Sequence, residues 1–175
     1  ALLARRPEAM AHGVEDSAAL EPLLARADVV ALGPGLGQDT WGAALYRQAL
    51  AAGRPLVLDA DALNLLAATP QSLATDTVLT PHPGEAARLL GTDPATVQRD
   101  RYAATRRLAE AHGCAVVLKG AGTVVAAPGE VPRVIAAGNP GMAVGGMGDL
   151  LTGCIAALRA RGVDAFQAAC LGALL

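Results

Sequence analysis

The residues best equipped for chemistry in this sequence gather around its glycines. The stretch GNPGMAVGGMGD, residues 138–149, places Gly145, Gly146 and Gly148 directly before Asp149 and an apolar run. These glycines permit backbone conformations that turn successive N–H groups inward, and a helix beginning near Asp149 adds the positive end of its dipole. Gly146, Met147 and Gly148 then form an anion hole suited to a phosphoryl group. Asp149 reads as a plain N-cap, or as a negative charge that sits where the anion itself should lie. KGAGT, residues 119–123, offers Lys119 as a flexible point charge followed by the exposed backbone of Gly120, Ala121, Gly122 and Thr123. In TPHPGE, residues 80–85, two prolines hold His82 stiffly. This motif is either a ligand-facing imidazole or simply a turn, with Glu85 as a favourable first-turn acid. Asp59 and Asp61 of DADALN either cap a helix or, beside Glu85, hold Mg²⁺ through water. GPGLG, residues 33–37, contributes Gly35 and Gly37. Its spacing departs from the GxGxxG fingerprint, so it is either a tight turn or a ligand cradle.

Each of these segments needs an element to position it. ADVVALG reads as a strand leading to GPGLG and then a helix from Thr40 that closes at Gly53, with Ala44, Leu45, Gln48 and Ala49 on one face. The unit recurs as a strand at 56–58 with a helix after Asp59, and a strand at 78–80 with a helix from about Pro83. Thr92 or Asp93 caps one further helix that carries Val97, Ala104, Leu108 and Ala111 on one face and stops at Gly113. A strand at 115–120 follows, and TVVAAPGEVPRVIAAG reads as two short strands around a Pro-Gly turn at the sheet edge. The last expected helix turns Leu151, Cys154, Ile155 and Leu158 inward. Alternation at these lengths predicts a mainly parallel α/β sheet, in which ligands bind at the carboxyl ends of strands. The five unusual segments all fall there.

Composition narrows the partners. A chain of 175 residues with 53% hydrophobic content fits one globular domain with a real core. One Trp, two Tyr and one Phe leave no aromatic platform for base stacking. A net charge of −2 and a pI near 5.9 give no footprint for nucleic acid or an anionic membrane. Cys114, Cys154 and Cys170 form no CxxC pair, which fits a reducing cytoplasmic setting. His12 and His112 read as solvated residues at helix ends. The first residues read as mid-domain helix and the last stop within an apolar helical pattern, so both ends are expected to be cut points.

GPGLG, LDADALN, TPHPGE, LKGAGT and GNPGMAVGGMGDLLTG, in this order and spacing, resemble the ADP- or ATP-dependent NAD(P)H-hydrate dehydratases of the ribokinase-like superfamily. GxGD alone marks the superfamily, whereas TPHPGE with NPGM and GMGD marks the dehydratases. The resemblance covers nearly the whole chain. It implies a three-layer α/β/α domain over 1–175 that lacks the family's N-terminal portion and last helix. The implied reaction restores hydrated NADH or NADPH: ADP or ATP phosphorylates the ring hydroxyl, with Mg²⁺ present, and phosphate then leaves. Lys119, Gly120, Ala121, Gly122, Thr123 and Gly148 are implied to bind the AMP portion; Gly35, Gly37 and His82 line the dinucleotide pocket. Asp149 touches the reacting ring as general base, partly buried, with the helix dipole stabilising its charge. Glu85 takes the place of a metal-linked acid, although His82 stands where related kinases carry asparagine. A homotetramer and a fused or partner hydrate epimerase are also implied. A small-molecule kinase acting on a vitamin-precursor alcohol and a non-catalytic nucleotide-binding module are the competing readings.

Overall fold

The computed structural model describes residues 5–175. The helical reading of the first residues falls partly on 1–4, outside that range, and residues 6–16 carry no regular element. Helix α1 (Ser17–Arg26) precedes β1 (Val30–Leu32), α2 (Thr40–Ala51), β2 (Leu56–Leu58), α3 (Ala60–Ala68), β3 (Thr77–Leu79) and α4 (Pro83–Leu90). Then come α5 (Pro94–Arg99), α6 (Arg101–His112), β4 (Ala115–Leu118), β5 (Thr123–Ala126) and β6 (Arg133–Ile135). A short 3₁₀ turn (Pro140–Met142), α7 (Met147–Ala160) and α8 (Ala165–Leu174) complete the described chain.

The six strands lie in chain order; β1 to β4 are parallel, and β5 and β6 run antiparallel beyond β4. This is the mainly parallel sheet with an antiparallel edge hairpin that strand and turn patterns predict. The central strands read as continuous apolar runs because both faces are covered. Leu58, Leu79, Val116 and Leu118 join a core with α2 to α6, whereas Val57, Val78, Val117 and Val125 pack against α7 and α8. The result is a three-layer α/β/α arrangement. Each fully buried Leu or Val of this kind contributes about 1.5–3 kcal/mol relative to exposure.

Helix starts follow local chemistry closely. Asp39, Asp93, Asp100 and Asp164 each accept an N–H from the third residue of the helix they cap. One expectation fails here: the segment from Pro94 to His112 is two helices. Asp100, with φ −143° and ψ 83°, leaves helical geometry and caps Ala103, so α6 starts afresh at Arg101. The break also rotates the buried face, leaving Ala111 exposed and burying His112 at 6% exposure, where its Nδ1 lies 3.4 Å from the Gln71 carbonyl. His112 is therefore not a solvated end residue.

The three cysteines are free, and burial pushes the Cys114 thiol up to about 12. Among the described residues, no helix is long and apolar enough to cross a membrane.

Candidate active site at the carboxyl edge of the sheet

Parallel pairing brings the ends of β1 to β4 to one edge of the sheet. The antiparallel hairpin sets the start of β5 and the end of β6 at that same edge, through the pairing of Thr123 with Ile135. All five unusual segments consequently meet there. Backbone bonds hold them together: Asp59 N–H donates to Leu32 O at 3.1 Å, Thr80 N–H to Leu58 O at 3.0 Å, and Lys119 N–H to Pro81 O at 2.8 Å. Gly33 passes so near β2 that a Cβ there would lie 1.8 Å from the Asp59 carbonyl oxygen, and its φ of +131° also requires glycine.

The floor of the site is a buried charged network. Asp59, 1% exposed, occupies the N-cap position of α3 without making a side-chain cap bond. Its carboxylate instead accepts from Lys119 Nζ at 2.6 Å and from Thr152 Oγ1 at 3.0 Å. Lys119 Nζ also lies 3.8 Å from Glu85 Oε2. Lys119 is thus not a free, flexible charge; two acids anchor it. Residue 60, which follows Asp59, has φ +45°, a conformation that alanine seldom adopts. Thr152 is the site residue that sequence reasoning misses, whereas Asp59, read there as a cap or a Mg²⁺ acid, makes no cap bond and instead anchors Lys119. The buried acid at a strand end is the signal for Asp59, whereas nothing local singles out Thr152.

His82 and Glu85 make the turn and first-turn acid of one of their sequence readings. Nδ1 of His82 accepts from Gly84 N–H at 3.0 Å and Glu85 N–H at 3.3 Å, while Glu85 Oε2 accepts from His82 N–H at 2.7 Å. This reciprocal capping box satisfies donors at the α4 N-terminus. With its Nδ1 lone pair so engaged, neutral His82 carries its proton on Nε2. That nitrogen stands 3.5 Å from Glu85 Oε1 on a side chain 54% exposed, so a ligand can reach it.

In the first loop, Asp61 accepts from Gly37 N–H at 2.9 Å and from Gln38 Nε2 at 3.0 Å. These bonds hold its carboxyl below its usual pKa and tie the segment containing Gly35 and Gly37 to α3. In the fourth loop, Thr123 Oγ1 donates to Gly120 O at 3.0 Å, which closes the turn around Ala121 and Gly122.

The glycine-rich stretch lies over the network. Helix α7 starts at Met147, two residues before Asp149, with Gly146 as N-cap at φ +92° and no side-chain cap bond. Asp149 is the third helical residue, so the plain N-cap reading fails. It is also exposed, contrary to the expected partial burial, because residues 136–146 before it lie on the surface. Gly148 rests directly on the floor: a Cβ there would be 3.2 Å from Lys119 Nζ and 3.4 Å from Asp59 Oδ2. The first turn of α7 is thereby brought against the Lys119 ammonium, a combination suited to phosphate, while the Met147 N–H is directed to Val144 O at 3.5 Å. Asp149, the next residue, is exposed, and its carboxylate has no hydrogen bond or ion pair among the described residues.

A direct Mg²⁺ cage does not fit these side chains. Asp59 is engaged by Lys119 and Thr152, and one oxygen of Glu85 by the His82 N–H. Among the described residues, no group of three or more His, Cys, Asp or Glu side chains gathers as a metal would need.

Comparison with known proteins gives a consistent family. A family model described as NAD(P)H-hydrate dehydratase matches residues 1–175. The chain is 48% identical over 171 residues to the bifunctional NAD(P)H-hydrate repair enzyme Nnr of Escherichia coli, covering 98% of this chain and 33% of that protein. It thus spans about a third of that relative's length. A crystal structure of a ribokinase-like superfamily protein from Enterococcus faecalis superposes with a TM-score of 0.85 at 34% identity, covering 99% of this chain and 61% of the other. The ADP/ATP-dependent NAD(P)H-hydrate dehydratase of Bacillus subtilis, co-crystallised with ATP/Mg²⁺, superposes with a TM-score of 0.72 at 33% identity, covering 84% of this chain and 52% of the other.

Proposed function

The chain belongs to the NAD(P)H-hydrate dehydratase family, and from that premise we propose that its protein restores hydrated NADH or NADPH at the expense of ADP or ATP. One observation supports this reading: Gly148, in the first turn of α7, rests against the Lys119 ammonium that Asp59 holds, and the next residue, Asp149, is exposed.

In this scheme, the 119–123 loop and Gly148 hold the AMP portion, and the N–H groups of Gly146, Met147 and Gly148 face the transferred phosphoryl group. Gly35, Gly37 and His82 contact the hydrated dinucleotide, with His82 donating from Nε2. The Asp149 carboxylate takes the proton of the ring hydroxyl as its oxygen bonds to phosphorus and the bond to the departing nucleotide breaks. A hydroxyl whose pKa lies far above 7 is a poor nucleophile without such a base. Charge on the phosphoryl oxygens meets donors already fixed in place, each worth about 3–4 kcal/mol in the barrier for sites of this kind. Phosphate then leaves with the ring C–O bond, and loss of the adjacent C–H proton restores the double bond. Lys119 balances phosphate charge from below, and its tie to Asp59 keeps it from swinging away when the site is empty. Mg²⁺ would act as counter-ion to the polyphosphate, and Glu85 would be the residue to hold it, through water.

Incubation of the full-length protein with hydrated NADH, Mg²⁺ and either ADP or ATP is expected to regenerate the reduced-nicotinamide absorbance and release phosphate. Absence of recovery with both nucleotides sinks the reading, and a stable phosphorylated alcohol as product marks a kinase instead. A cytoplasmic location, a homotetramer and a fused or partner epimerase belong to the same proposal. The last is supported by the bifunctional Escherichia coli relative.

A further inference from the structure

Arg101 is the first residue of α6, the helix that restarts after Asp100. A cation at this end opposes the helix dipole, which favours acids there, so its position calls for another explanation. The side chain reaches the loop between β4 and β5. Nη2 donates to Leu118 O at 3.1 Å, to Gly122 O at 3.3 Å and to Lys119 O at 3.5 Å, while Nη1 donates to Gln98 Oε1 at 2.8 Å. Gly120, at φ +144°, lies against the guanidinium: a Cβ there would stand 3.0 Å from Nη1, 3.1 Å from Nη2 and 3.4 Å from Cζ. The buried Nε has no hydrogen-bond partner. The guanidinium is therefore set to serve the loop carbonyls at the expense of one of its own donors.

We propose that Arg101 is a positioning residue that orders the 119–123 loop before nucleotide arrives. The assignment rests on the reading of that loop as the nucleotide site. A segment with glycines at 120 and 122 has wide backbone freedom, and a ligand that had to order it would bind more weakly. Tying three carbonyls around the loop to one planar cation removes that freedom in advance. Lysine is a poor substitute, because one compact ammonium cannot hold Gln98 and the loop carbonyls from two separate nitrogens, nor provide the flat surface on which Gly120 lies.

The test uses the full-length protein with AMP and NADH as separate probes, together with amide hydrogen exchange of the unliganded chain. Arg101→Ala is expected to weaken AMP binding about tenfold, as loss of hydrogen bonds to a charged group predicts, while NADH affinity is unchanged. Exchange should quicken across residues 119–123 and stay slow in the interior of β4. Arg101→Lys should recover only part of the AMP affinity. Unchanged AMP affinity with unchanged loop exchange overturns the proposal. Equal weakening of AMP and NADH with faster exchange throughout β4 and α6 also overturns it, since that pattern marks a general structural role. If the wild-type protein binds no AMP, the nucleotide reading of the loop falls. Faster exchange of 119–123 in Arg101→Ala would still uphold the ordering by Arg101, which keeps the two failures apart.

Discussion

The floor and the roof of the site are built on opposite principles. Below, Asp59 and Glu85 are buried at 1% and 6% exposure; Lys119, just past the end of β4, reaches both, and Thr152 of α7 reaches Asp59, each from far along the chain. Above, residues 136–146 are exposed, and Asp149 has no side-chain partner among the described residues. A buried ion pair loses hydration and depends on its partner, whereas an exposed carboxylate can be changed with little consequence for folding. The floor thus couples stability to electrostatics, while the roof does not.

Four substitutions test that division, the strongest first. Lys119→Met strands the Asp59 charge in the interior and is expected to lower folding stability by about 3–5 kcal/mol in urea titrations; a loss below about 1 kcal/mol would show that the pair does not hold the floor. Asp149→Asn should reduce kcat by about two orders of magnitude or more while nucleotide affinity persists. Its unfolding midpoint should barely move, and retained turnover removes Asp149 from the mechanism. Thr152→Val keeps the shape but deletes one donor to Asp59, for an expected loss of about 2 kcal/mol by thermal unfolding. A floor residue with no measurable effect would blur the contrast.

The smallest effect belongs to Asp61→Asn, which loosens the first loop by less than about 1 kcal/mol at neutral pH. The sign of its pH dependence follows from the lowered pKa of Asp61. A carboxyl whose pKa is lower in the folded state stabilises the fold above its unfolded value, ordinarily near 3.8, and that stabilisation is lost as pH falls through the folded value. The difference between wild type and Asp61→Asn should therefore shrink in acid. A difference independent of pH would assign the effect to packing.

Much of this molecule is legible locally. The strand at 56–58, the helix starts at Thr40, Pro83 and Pro94, and the edge hairpin follow from apolar runs, caps, prolines and the Pro-Gly turn. Asp100 was an available capping signal as well, and a single apolar stripe drawn through it conceals the break at Arg101. Motif order brings the loops after β1, β2 and β3 to one edge, because in a parallel sheet every strand-to-helix connection leaves from the same side, and the edge hairpin adds the β4–β5 turn and the end of β6 there.

By itself, the sequence determined the α/β alternation, the family and the edge of the sheet where chemistry belongs, since these rest on interactions spanning a few residues and on motif spacing. Only the tertiary structure decided that Lys119 is held by an acid 60 positions away and that Thr152 joins them from 93 positions away. It also decided that Asp149 is exposed, with no side-chain partner among the described residues. Such pairings depend on which strands become neighbours, on their register and on the angle at which α7 crosses the sheet end, none of which local periodicity encodes.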